Sequence, residues 1–139
     1  MIPIVLVTHG ALASSLLATL KMVLGDPEAV EAFGLAPEEA DDNLERRVEE
    51  KIASLDPENK GALVLVDMLG GTPFNVSMRL AGRRNLRVVT GVSLPMIFKA
   101  LAVRESDESL DAAASDIQRG ARDAVVTSMD FYNRLKQGS

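Results

Sequence analysis

The stretch Val66-Asp67-Met68-Leu69-Gly70-Gly71-Thr72-Pro73-Phe74-Asn75 decides the fold, because it joins an apolar run to the start of a helix. Residues 61–66 form a short apolar run that begins with a glycine, which is typical of a strand buried on both faces of a parallel sheet. Gly70 and Gly71 permit the backbone angles of a tight turn. The stretch therefore predicts a strand, a loop and a helix, with Asp67 at the carboxyl end of the strand.

The start of this predicted helix is a candidate anion site. Thr72 belongs to the residue types preferred at the N-cap, and Pro73 suits the first helical position. Free amide groups at a helix N-terminus bind phosphate through hydrogen bonds and through the helix dipole. We therefore expect the amides of Gly71 and Thr72, with the Thr72 hydroxyl, to hold an anion beside Asp67.

The only histidine of the chain occupies a position equivalent to that of Asp67. The apolar run Ile2–Val7 predicts the first strand, which ends in Thr8-His9-Gly10. A histidine at a strand end is more often a structural residue than a reactive one. Here, however, His9 and Asp67 both lie at the ends of predicted strands. Whether they are structural or reactive therefore depends on how those strands are arranged.

The rest of the chain alternates helices with short strands. Apolar spacing and glycine or proline breaks predict helices over 11–24, 37–55, 73–81, 94–103 and 106–122, and further strands over 29–33 and 87–90. The strand 29–33 is short and mixed in polarity, which favours an edge position. Residues 124–132 either continue the last helix or form a fifth strand, antiparallel to the others.

This alternation predicts a single α/β domain over residues 1–139. It has three layers, with a mainly parallel sheet of order 2-1-3-4 and helices on both faces. Strands one and three are neighbours in that order, and ligands bind outside the carboxyl ends of the strands where the chain reverses direction. Neighbouring strands lie about 4.8 Å apart. We therefore expect His9 and Asp67 to reach hydrogen-bonding distance.

Composition limits the classes of function. The formal net charge of −5 argues against a nucleic-acid or anionic-membrane partner. One histidine and no cysteine provide too few ligands for a transition-metal site, and we expect neither a metal nor a cofactor. No apolar stretch reaches the roughly 18 residues of a membrane span, and the amino terminus has no basic signal-like region. These features predict a cytoplasmic protein.

The combined motifs resemble those of a known family. An amino-terminal strand ending in Thr8-His9-Gly10, the stretch 66–75, and Gly91-Val92-Ser93-Leu94-Pro95-Met96 are together similar to the IIA component of the mannose-fructose-sorbose family of the bacterial phosphoenolpyruvate-dependent sugar phosphotransferase system (PTS). The resemblance covers nearly the whole chain. It implies that His9 accepts a phosphoryl group from the phosphocarrier protein HPr and passes it to a IIB component, while Asp67 orients the ring.

The same resemblance implies the assembly. Members of the family are usually homodimers, and they meet the membrane only indirectly, through the IIC and IID transporter subunits. The best-studied members continue through a linker into IIB, whereas this chain stops at Ser139, so we expect IIB to be a separate protein. Some members exchange a terminal strand between subunits, and residues 125–129 are the candidate segment here.

The chemistry can be argued from the residues as well. A carboxylate that accepts a hydrogen bond from Nδ1–H of His9 leaves Nε2 with a free lone pair, and neutral imidazole is a usable nucleophile near pH 7. Phosphoryl transfer mainly requires positioning and charge stabilisation, so a sparse site suffices. Met68 and Leu69 follow Asp67 directly and are candidates for an apolar rim that docks partner proteins.

Three other functions compete with this interpretation. A hydrolase using Ser14, Ser15 or Thr72 with His9 and Asp67 has the residue types of a triad but lacks a Gly-x-Ser-x-Gly elbow. A flavin- or nucleotide-binding module of the same fold lacks a phosphate-binding glycine motif and has few aromatic residues to stack on a ring. A regulatory relative that is phosphorylated without serving sugar uptake cannot be separated from a transport component by sequence.

Overall fold

The computed structural model describes residues 1–138, which form four strands and six helices. The strands are β1 (Ile4–His9), β2 (Val30–Leu35), β3 (Ala62–Val66) and β4 (Leu86–Thr90). The helices are α1 (Leu12–Leu24), α2 (Asp41–Leu55), α3 (Thr72–Ala81), α4 (Leu94–Val103), α5 (Leu110–Asp123) and α6 (Ser128–Gln137).

The strands form one parallel sheet of order β2-β1-β3-β4, as the sequence predicts. β2 lies at one edge, which confirms the expectation from its short, mixed sequence. β1 and β3 are paired in the centre, with Val7 opposite Val66. Their carboxyl ends therefore lie side by side, and the residues that follow the two strands meet at the carboxyl end of the sheet.

Two apolar cores lie on the two faces of the sheet. Alternate residues of a strand point to opposite faces, so Ile4 and Leu6 of β1 pack in one core and Val5 and Val7 in the other. The first core is closed by residues of α1, α4 and α5. The second is closed by residues of α2 and α3. This is the predicted three-layer arrangement.

β1 ends at His9, as predicted, whereas β2 runs two residues further toward the site than the predicted strand 29–33. Thr8 and His9 still pair with β2, opposite Gly34 and Leu35, and the N–H of Gly10 donates to the carbonyl of Leu35 over 2.9 Å. A Cβ added at Gly34 would lie 1.9 Å from the carbonyl oxygen of Gly10. Only glycine therefore lets β2 pass this close to the turn that follows His9.

Two helices begin later than predicted, because polar side chains hold the preceding segments in turns. Glu39 accepts a hydrogen bond from the N–H of Ala36, and α2 starts only at Asp41. Ser106 donates its hydroxyl to the carbonyl of Val103. The hydroxyl of Ser109, three residues later, caps α5 by accepting from the N–H of Ala112.

The carboxyl-terminal segment matches neither alternative considered for it. The N–H of Ala124 bonds to the carbonyl of Gly120 where α5 ends, and Thr127 caps a separate helix, α6. The fifth strand, one of the two alternatives, is therefore absent from residues 1–138. α6 has no buried residue, and within the same residues no helix has the length and apolarity needed to cross a membrane.

Candidate phosphohistidine site

His9 and Asp67 lie in contact at the carboxyl edge of the sheet, as predicted. The His9 Nδ1 atom is 2.8 Å from Oδ2 of Asp67. β1 ends at His9 and β3 ends one residue before Asp67, so the pairing of the two central strands brings together residues that are 58 positions apart. The His9 side chain is 47% exposed and that of Asp67 only 13%. The ring is therefore presented to solvent by a carboxylate held beneath the surface.

Asp67 is an acceptor for three N–H groups. Its Oδ2 accepts from the His9 ring and from the backbone N–H of His9, the latter over 2.9 Å, and its Oδ1 accepts from the N–H of Met68 over 3.0 Å. Partial burial opposes ionisation, but the hydrogen bonds from the backbone and ring of His9 outweigh it and lower the pKa of Asp67 below its ordinary value. Asp67 is consequently ionised at neutral pH.

The ionised carboxylate fixes the state of the imidazole. An ionised carboxylate is only an acceptor, so the His9 Nδ1 atom must carry the proton in the bond to Oδ2. In the neutral ring the lone pair is then on Nε2. The His9 ring thus has one nucleophilic nitrogen, Nε2, while its other nitrogen, Nδ1, is occupied by the hydrogen bond to Asp67.

The free edge of the ring faces the beginning of α3. A Cβ added at Gly71 would lie 2.8 Å from Cε1 and 3.3 Å from Nε2 of His9. Gly71 has an ordinary φ of −84°, so glycine is needed here for space against the ring and not for backbone freedom. A group attached to Nε2 would therefore lie beside the amino-terminal amides of α3.

The predicted N-cap at Thr72 is wrong. α3 begins at Thr72 itself, Gly71 is the N-cap residue, and no side chain caps this helix. Pro73 is consequently the second helical residue, where its missing N–H costs no helical hydrogen bond. The first backbone bond of the helix joins the N–H of Asn75 to the carbonyl of Gly71. Because Thr72 is not used for capping, its half-buried hydroxyl is available for another partner.

The segment after Asp67 is exposed, as expected for an apolar rim. The side chains of Met68 and Leu69 are 56% and 71% exposed. Leu12, three residues after His9 along the chain, is a further exposed apolar residue, at 44%.

The other polar residues considered for this site have local partners or none. Ser14 donates its hydroxyl to the carbonyl of Ala11, inside its own helix turn, and the hydrogen bonds of His9 involve neither Ser14 nor Ser15. Across residues 1–138 there is no group of three or more His, Cys, Asp or Glu side chains arranged to hold a metal ion.

Comparison with known proteins identifies the family of the chain. The family model described as "PTS system fructose IIA component" matches residues 3–118. The chain belongs to this EIIA family. The chain is 36% identical over 125 residues to the mannose-specific EIIAB component of Escherichia coli K12. That match covers 89% of the chain but 38% of the relative, so the chain spans well under half the length of that protein.

Solved structures of EIIA proteins share the fold. A phosphotransferase EIIA component from Streptococcus agalactiae superposes with a TM-score of 0.83 at 27% identity, covering 91% of this chain and 97% of that one. A mannose/sorbose-specific IIA subunit from Enterococcus faecalis gives a TM-score of 0.77 at 30% identity, covering 91% and 95%. The four-stranded parallel domain is thus the EIIA fold over nearly its whole length.

The substitution Asp67→Asn should remove a pH-dependent part of the stability. The folded-state pKa of Asp67 is lowered, so its contribution is fully present above the unfolded value of about 3.9 and is lost as pH falls through the folded value. We expect urea unfolding to show the variant about 1–3 kcal/mol less stable at pH 7, and the difference to vanish toward pH 2.

The exposed Asp26, whose side chain is 84% accessible, supplies a matched control. Asp26→Asn should leave the free energy of unfolding nearly unchanged at every pH. A gap between wild type and Asp67→Asn that stays constant from pH 7 to pH 2 would contradict the role given to the ionised carboxylate.

Proposed function

We propose that this chain is a phosphoryl carrier of the PTS, which takes a phosphoryl group from phospho-HPr onto Nε2 of His9 and gives it to a IIB component. The observation that carries the proposal is the bond from the His9 Nδ1 atom to Asp67, because it leaves Nε2 as an exposed nucleophile beside a helix start. Family membership supports the same role. The chain then acts as a transferase component with a phosphohistidine intermediate.

The transfer balances without a further catalytic group. The Nε2 lone pair of His9 forms a bond to phosphorus as the phosphorus–nitrogen bond of phospho-HPr breaks, and the electron pair of that bond returns to the donor ring. The proton on Nδ1 of His9 stays in place, and the phosphorylated ring gains positive character. Asp67 stabilises that charge, and donation to IIB reverses the same steps.

The phosphoryl oxygens are held at the start of α3. The amides of Gly71 and Thr72 lie among the first N–H groups of the helix, which have no partner within it, and the helix dipole favours negative charge there. The Thr72 hydroxyl adds a donor that is not committed to capping. These two residues form the phosphate-binding part of the proposed site.

The partners follow from the same proposal. Phospho-HPr and a IIB component dock on the apolar rim made by Met68 and Leu69. The carrier works in the cytoplasm and reaches the membrane only through the IIC and IID subunits of the transporter. The proposal also includes a homodimer of this single domain. The exposed apolar side chains of α6, among them Phe131 and Leu135, support it as surface that a second copy would cover, which sedimentation of the purified protein tests.

Phosphorylation of His9 is the central test. Incubated with phosphoenolpyruvate, enzyme I and HPr, the protein should gain one acid-labile, base-stable phosphoryl group per chain, and His9→Gln should abolish the gain because no other histidine is present. Mass spectrometry and autoradiography measure it. Ser14→Ala is the matched control and should be phosphorylated like the wild type.

Label that persists in His9→Gln, or that Ser14→Ala removes, would overturn the assignment and favour a hydroxyl acceptor. Adding a purified IIB protein extends the experiment. Loss of label from the carrier to IIB supports a place in sugar uptake, whereas a phosphoprotein that no IIB discharges contradicts that place and fits a regulatory role.

Gly71→Ala should slow phosphoryl transfer without unfolding the protein. The added Cβ would meet the ring at 2.8 Å, so His9 must move away from the amides of α3, and displacements near 1 Å cost up to about a hundredfold in rate. We expect a fall of about tenfold or more in the rate of label transfer from phospho-HPr.

Gly82→Ala is the control at the other end of α3. Gly82 has an ordinary φ of −74°, and its added Cβ meets only the carbonyl of Arg79, at 3.3 Å. Its transfer rate should equal that of the wild type. Equal rates for Gly71→Ala and Gly82→Ala would show that the space beside the ring is unimportant.

The docking rim predicts a different kinetic signature. Replacing Met68 and Leu69 together with serine removes apolar contact area without touching the reacting atoms, so KM for phospho-HPr should rise about tenfold while kcat stays the same. Met22→Ser, at a side chain that is 86% exposed near the far end of α1, should change neither value. A fall in kcat with unchanged KM would place these residues in the chemistry and not in docking.

A further inference from the structure

Thr8 is a fully buried polar residue directly before His9. Its hydroxyl makes two hydrogen bonds at once. Oγ1 accepts from the N–H of Ala13 over 2.8 Å and donates to the carbonyl of His9 over 3.1 Å. A buried hydroxyl with both functions in use joins the backbone of His9 to the first turn of α1.

This bridge replaces a cap that α1 otherwise lacks. The N-cap residue of α1 is Ala11, which has no side-chain hydrogen bond to offer, and one of the orphan N–H groups of the first turn is instead satisfied by Thr8 from the preceding strand. The helix start and the His9 peptide are therefore held by one atom. Valine has nearly the same shape as threonine but can make neither bond.

The peptide groups before and after the Cα of His9 are consequently both held by hydrogen bonds. Its N–H is bound by Oδ2 of Asp67 at 2.9 Å, its carbonyl is bound by Thr8, and the next N–H, of Gly10, is bound by Leu35. The Thr8 hydroxyl thus joins this turn to the first turn of α1. Without it, the carbonyl of His9 and the buried N–H of Ala13 would both lose this hydrogen-bond partner, and the turn would shift to find others.

We propose that Thr8 is a positioning residue for His9, whose hydroxyl holds the imidazole in line with Asp67 and with the start of α3. Loss of the hydroxyl lets the His9 peptide rotate, which weakens the bond from Nδ1 to Asp67 and frees the proton to occupy either ring nitrogen. The effect on phosphoryl transfer rests on the proposed function. The effect on the ring does not.

The experiment compares Thr8→Val, Thr8→Ser and a capping control. Ser109→Ala removes a similar capping hydroxyl at the start of α5. It lies near the opposite end of the sheet, because a Cβ added at Gly61, just before β3, would lie 3.3 Å from its neighbour Leu110. Two quantities are measured on each folded protein: the 15N signals of the single histidine ring, which report the tautomer, and the rate of phosphorylation by phospho-HPr.

We expect wild type, Thr8→Ser and Ser109→Ala to share one ring tautomer, with the proton on Nδ1, and to be phosphorylated at similar rates. Thr8→Val should show a mixture of tautomers and a rate lower by about tenfold or more. If Thr8→Val does not fold, Thr8→Ala, which removes the same two hydrogen bonds, is measured in its place and should show the same mixture.

Wild-type ring signals and rate in a folded Thr8→Val or Thr8→Ala protein would overturn the proposal. Equal changes in Ser109→Ala would also overturn the proposal, because they would reveal a general effect of lost stability. Failure of Thr8→Ser to behave like the wild type would overturn it as well. If the wild type itself takes no phosphate, the proposed function fails, and the ring signals still decide whether Thr8 positions His9.

Discussion

The hydrogen bond from the His9 ring to Asp67 depends on the order of the strands, and the chemistry of the site depends on that bond. Only because β1 and β3 are parallel neighbours do their carboxyl ends lie together and bring the two side chains to 2.8 Å. The carboxylate that results accepts three N–H groups and stays ionised. The bond between His9 and Asp67 therefore joins β1 and β3 beyond their last paired residues. It also determines which nitrogen of the His9 ring is free.

The exposure of the ring fits a carrier better than a pocket enzyme. An enzyme that acts on a small molecule encloses it in a cleft, whereas a carrier must bring its reactive atom against the reactive atoms of two other proteins. His9 is nearly half exposed while Asp67 is mostly covered, so the nucleophile is accessible and the group that orients it is protected. The apolar side chains of Met68 and Leu69, which directly follow Asp67, are exposed as well, and an incoming protein can cover them.

The sheet order and the meeting of His9 with Asp67 were predictable, because both follow from apolar runs and from the rule that ligand sites lie at the carboxyl ends of parallel strands. The N-cap residue of α3 was not predictable. Thr72 is a good cap residue by type, and only the path of the loop places Gly71 at the N-cap position instead. Thr8 was missed for a related reason. Its hydroxyl reaches five residues along the chain to Ala13, and no local pattern distinguishes it from a strand threonine. The helix at residues 128–137 was undecided because its apolar residues have no core to pack against.

The geometry also separates the two negative groups that the proposed intermediate contains. Asp67 binds the ring at Nδ1, whereas Gly71 and the start of α3 face the edge formed by Cε1 and Nε2. A phosphoryl group on Nε2 would therefore lie across the imidazole from the carboxylate, against amides and a helix dipole that favour negative charge. The ring keeps the repulsion between phosphate and Asp67 small while Asp67 remains close enough to stabilise the positive ring between them. A phosphate bound through Nδ1 would have displaced the carboxylate and lost this arrangement.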